Sequence, residues 1–147
     1  MKAPIGYARG ARSEADFRRS GMQTMRLTRA AAQIAPDGSH IRKLIELHGL
    51  SCVHCTLRAG QTSIAIRHQS VEEIWFVLKG HGELWRKRRS AEQLVDLEPG
   101  LCVAIPRGVH FQFRNTGQGP LELILTTAPS WPGNAEAVRV ADYWPTS

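Results

Sequence analysis

GQTSIAIRHQSVEEIWFVLKG (residues 60–80) and GLCVAIPRGVHFQFRN (residues 100–115) are the two stretches whose reading decides the fold. In the second, His110-Phe111-Gln112-Phe113-Arg114 alternates polar and apolar residues, the period of two that a half-buried strand requires. In the first, a strand from Glu73 to Leu78 places Glu73, Trp75 and Val77 on one face and Ile74, Phe76 and Leu78 on the other. Working outward, further strands are expected at Ile41–Leu47, Cys52–Leu57, Ser63–Arg67, Gly82–Lys87, Gln93–Leu97, Leu101–Ile105 and Leu121–Thr127. Turn chemistry separates them, at His48-Gly49, Ala59-Gly60, Lys79-Gly80, Glu98-Pro99-Gly100, Pro106-Arg107-Gly108, Thr116-Gly117 and Gly119-Pro120. Only Ala30–Ile34 and part of the preceding arm read as helical. Short strands joined by tight turns make an all-β chain.

At 147 residues the chain has the length of one domain, and no apolar run approaches the roughly 18 residues of a membrane-spanning helix. The first twenty residues contain no hydrophobic stretch of the kind a secretory signal needs, so a cytoplasmic protein is expected. Cys52, Cys55 and Cys102 are an odd number and read as reduced thiols. Cys52-Val53-His54-Cys55 contains a C-x-x-C, yet residues three apart on a strand face opposite sides and no second pair follows.

The formal net charge of +6 is concentrated in the first thirty residues, where Lys2, Arg9, Arg12, Arg18, Arg19, Arg26 and Arg29 face only Glu14 and Asp16. No recognition motif or interleaved aromatic accompanies these arginines, so the arm reads as a solvated terminus and not as a nucleic-acid contact. Arg86-Lys87-Arg88-Arg89 reads as a hairpin tip. The chain divides into a basic arm (1–35), a barrel (36–130) and an aromatic tail (131–147) that packs on the barrel or on a partner subunit. Pro36-Asp37-Gly38 forms the turn between arm and barrel.

The two opening stretches resemble the paired motifs of the cupin family. The first family motif runs Gly, five residues, His-x-His, three or four residues, Glu, six residues, Gly. Gly60, His68, Glu73 and Gly80 match it, and Ile66 stands at the first histidine position. The second runs Gly, five residues, Pro-x-Gly, two residues, His, three residues, Asn. Gly100, Pro106, Gly108 and Asn115 match, Phe111 stands at the histidine position, and His110 is one residue early. A slip of one residue sends a side chain to the opposite face of a strand, so either His110 or Phe111 enters the interior.

The resemblance implies a double-stranded β-helix, or jelly-roll barrel, and a homodimer. It also implies His68, Glu73 and His110 as the candidate ligands of a divalent transition metal, Fe, Mn, Ni, Cu or Zn. Ile66, Trp75, Phe111, Gln112 and Phe113 are the candidate pocket residues for a small organic substrate. Two functions follow from different classes. In one, a metal-dependent oxygenase, isomerase or lyase polarises a substrate oxygen or engages dioxygen. In the other, a metal-free barrel binds a small molecule for sensing, storage or carriage, with His68 free to act as a base.

Overall fold

A computed structural model describes residues 21–147; the run from Lys2 to Arg19, with most of the basic arm, lies outside the described residues. Among the described residues, eleven strands are arranged in two antiparallel sheets. The first contains β1 (Gln33–Ile34), β2 (His40–Glu46), β3 (Ser51–Leu57), β10 (Leu121–Ala128), β5 (Glu72–Lys79) and β8 (Cys102–Ile105), in that spatial order. The second contains β11 (Ala137–Arg139), β4 (Ile66–His68), β9 (His110–Asn115), β6 (Gly82–Arg88) and β7 (Ala91–Leu97). This is the expected all-β jelly-roll barrel.

The alternation read from the sequence fills the space between the sheets. Trp75 and Val77 of β5 meet Leu121, Leu123 and Leu125 of β10 and Phe111 and Phe113 of β9 in one apolar cluster. Gly80, which ends the first motif, has φ +87°, and a Cβ there would stand 2.5 Å from the Pro120 carbonyl oxygen. The tight return from β5 to β6 past Pro120 thus requires glycine at this point.

Three differences from the sequence reading have physical causes. Ala30–Ile34 is not helical: Gln33 and Ile34 form β1 and pair with Ile41 and His40, because the Pro36-Asp37-Gly38 turn folds the chain back on itself. In that turn Asp37 Oδ1 accepts hydrogen bonds from Ser39 N at 2.9 Å and Ser39 Oγ at 2.6 Å. Ser63–Ala65 do not extend β4, because their amides bond elsewhere: Ser63 to the Phe113 carbonyl, Ile64 to the Asp37 carbonyl and Ala65 to Asp142 Oδ1. Finally, the tail contains a 3-10 turn (Asn134–Glu136) and a strand, β11, which pairs with β4 in the register Ala137 to His68.

Beyond β11 the tail returns across the outer face of the five-stranded sheet. Tyr143 stacks on Trp85, with centroids 5.2 Å apart, and the Arg114 guanidinium lies 4.6 Å from the Trp144 ring. Gln112 is the latch. Its Nε2 donates to the carbonyls of Ser63 (2.8 Å) and Trp144 (2.9 Å), while its Oε1 accepts from the backbone N–H groups of Tyr143 and Trp144, both at 2.8 Å. Removing this amide leaves one buried and three part-buried backbone groups without their partner, so Gln112→Ala is expected to cost about 1–3 kcal/mol in chemical denaturation. Trypsin cleavage after Arg139 should accelerate in the same variant.

Candidate functional site

A cavity of 850 Å³ opens between the sheets, with Ile66, His68, Glu73, Trp75, Phe111 and Trp131 among its lining residues. The β1–β2 hairpin contributes Asp37, Ser39 and Ile41 to one side. The strand period explains why Glu73 and Trp75 both point inward from β5, and why Ile66 and His68 do so from β4.

Glu73 is only 8% exposed, and among the described residues no lysine or arginine forms an ion pair with it. Trp75 Nε1 donates to its Oε2 at 2.6 Å, and Thr127 Oγ1, directly opposite on β10, donates to its Oε1 at 3.1 Å. Burial pushes its pKa up to about 7, against the partial relief of those two hydrogen bonds and with a further upward push from the Asp37 charge. His68 Nε2 lies 3.9 Å from Glu73 Oε1, and its ring is edge-on to Phe111 and Trp131. Burial lowers the His68 pKa to about 4, despite the opposing field of Glu136. At neutral pH the pair is therefore an uncharged imidazole beside a carboxyl poised between its two forms. The group that titrates near neutrality is Glu73, where the sequence alone had pointed to His68.

His110 does not join them. It pairs with Lys87 across β6 and β9 and is half-buried on the face opposite Phe111; partial burial, then the cations of Arg67 and Lys87, lower its pKa. Phe111 occupies the interior, and its register partner on β4 is Ile66. Phe113 packs behind Trp75 in the core, with centroids 4.9 Å apart, and Gln112 serves the tail, so neither lines the cavity.

Asp37, Thr127 and Glu136 escaped the sequence reading as site residues, and Trp131 entered it only as part of the aromatic tail. Asp37 was legible only as a turn residue, and Thr127 is brought to Glu73 by register alone. Glu136 accepts hydrogen bonds from Ser70 N, Ser70 Oγ and Val71 N, fixing the turn that follows His68. Burial would raise its pKa, but these donors outweigh that effect and hold it below the usual carboxylate range.

Residues 53–127 match the family model described as Cupin domain. The chain belongs to the cupin family. A xanthan biosynthesis protein, XanB of Xanthomonas campestris pv. campestris, is 32% identical over 87 residues, covering 59% of this chain. The match spans only 18% of that relative's length. Among solved structures, a Cupin 2 conserved barrel domain protein from Salinispora arenicola superposes with a TM-score of 0.59 at 20% identity, over 72% of this chain and 87% of that one. Oxalate decarboxylase from Bacillus subtilis superposes with a TM-score of 0.64 at 14% identity, over 76% of this chain and 30% of that one. At these identities the structures share the cupin fold.

The cupin pocket of this chain does not fit a resident transition metal. The two positions at which the family motif carries a histidine and this chain does not are Ile66 and Phe111, which pair with each other across β4 and β9. Among the described residues no three His, Cys, Asp or Glu side chains converge as ligands.

The two pKa shifts have opposite consequences for stability. Glu73, raised from 4.5 to about 7, stabilises the fold fully below about pH 4.5, and that contribution is lost as pH rises to about 7. His68, lowered from 6.5 to about 4, destabilises the fold as pH falls through that interval. Glu73→Gln removes the first trend and leaves the second. Between pH 4.5 and 7 the two trends therefore largely offset each other in the parent, whereas stability should rise with pH in the variant, the two profiles diverging by up to about 3 kcal/mol when thermal midpoints are read at matched pH.

Proposed function

We propose that this cupin binds a small organic molecule without a metal and moves a proton on it through Glu73, an isomerase- or lyase-type activity. The observation that carries this reading is the buried carboxyl whose pKa lies near 7 on the wall of an aromatic cavity. A base of that strength is partly ionised at neutral pH and returns the proton readily, which is the optimum for general acid–base work. Trp75 and Thr127 orient the carboxyl, and neutral His68 stands beside it with Nε2 3.9 Å from Oε1. Oxalate decarboxylase shares this fold at 14% identity, so the substrate class follows from the pocket lining and not from the fold. Protein purified without added metal is expected to carry far less than one equivalent of Fe, Mn, Ni, Cu or Zn by elemental analysis. Near-stoichiometric metal that disappears in His68→Ala would overturn the reading.

The same proposal places the protein in the cytoplasm, where its free cysteines stay reduced, and as a homodimer. The outer face of the six-stranded sheet supports the dimer: Ile74, Phe76 and Leu78 are 56%, 43% and 43% exposed on one central strand. Such a contiguous apolar strip is what self-association covers. Phe76→Lys should convert the dimer to a monomer in light scattering without changing the fold.

A further inference from the structure

The cavity shows an imbalance of charge among its described lining residues. Asp37 and Glu73 both line it and both are buried, at 9% and 8% exposure. Lys43, the one Lys or Arg among the described lining residues, is exposed on β2, the strand that also contributes the exposed Glu46 to the lining. His68, 2% exposed on the same wall, keeps Nδ1 buried without a hydrogen-bond partner. The interior thus presents acceptors, bordered by the rings of Trp75, Phe111 and Trp131.

Resting on the reading of the cavity as a metal-free small-molecule site, we infer that its ligand is a small organic cation, an amine with an apolar or aromatic body. A carboxylate taken out of water is costly unless a cation or a proton joins it. An ammonium group beside Glu73 supplies that charge, donates to the carboxylate and lies beside the aromatic rings of the cavity. Asp37 extends the same negative potential along the hairpin side, held in place by Ser39. An anionic ligand meets two desolvated carboxyls and is rejected.

The charge of the cavity follows from the groups that face Glu73. His68 is neutral, and the Cys55 thiol, buried in the core and kept protonated mainly by burial and then by Asp37, carries no charge. Asp37 is raised by burial, Glu136 acts on His68 from the tail, and Lys43 and Glu46 lie on β2.

Titration calorimetry with three probes of one shape tests this: phenethylamine, 2-phenylethanol and 3-phenylpropionate, at about pH 6 and pH 8. The amine should bind at least about tenfold more tightly than the alcohol at both pH values, and the carboxylate should bind weakest. Glu73→Gln and Asp37→Asn should each weaken the amine by about tenfold and change the alcohol by less than about threefold. Asp37→Ser serves if the asparagine variant does not fold. Equal binding of amine and carboxylate, no binding of the amine, or amine affinity unchanged in both variants overturns the inference while leaving the metal-free pocket standing. Amine binding abolished by EDTA and restored by a transition metal would instead strike at the metal-free reading itself.

Discussion

A carboxyl group withdrawn from water without a partner cation is the constraint around which the pocket is organised. Glu73 is held by an indole N–H and a threonine hydroxyl, both neutral donors, which orient it without cancelling its charge. Two such bonds offset only part of the desolvation, and the pKa settles near neutrality. A lysine or arginine at the same place would drive the carboxyl to permanent ionisation and end its usefulness as a proton carrier. The apolar walls are thus as much a part of the chemistry as the carboxyl is.

Those walls come from the positions where the cupin motifs would place imidazoles. Ile66 and Phe111 face each other across β4 and β9, and the Phe111 ring contacts both His68 and Trp75 edge-on. Exchanging two ligand positions for a packed apolar pair dries the site and lowers its dielectric, which raises Glu73 and lowers His68 together.

The tail stiffens this arrangement from outside. β11 pairs with β4 at Ile66, Arg67 and His68, and Glu136 ties down the turn that follows. Gln112 fastens the next segment to β9, one residue away from Phe111. Both strands that supply the apolar pair are thereby clamped by residues far later in the chain, which suits a site whose geometry must hold within a fraction of an ångström.

Much of the fold was legible because strand periodicity and turn residues are local properties: the spacing of Gly60, Gly80, Gly100, Pro106 and Gly108 and the alternation in β5 and β9 sufficed for an all-β barrel with Glu73 and Trp75 on one face. The sequence could not choose between His110 and Phe111, since the two readings differ by one residue of register and only the pairing of β9 with β4 and β6 breaks that tie. Nor could it anticipate that Gln112, polar and alternating with phenylalanines, is fully buried under a tail about thirty residues away. Residues 30–34 read as helix because local propensity carries no knowledge of β2, and Asp37 read as a turn residue because nothing local reveals the cavity beside it. The chain by itself determined which residues alternate and where it must turn. Tertiary pairing decided which side chains share the interior, because burial and charge depend on neighbours distant in sequence.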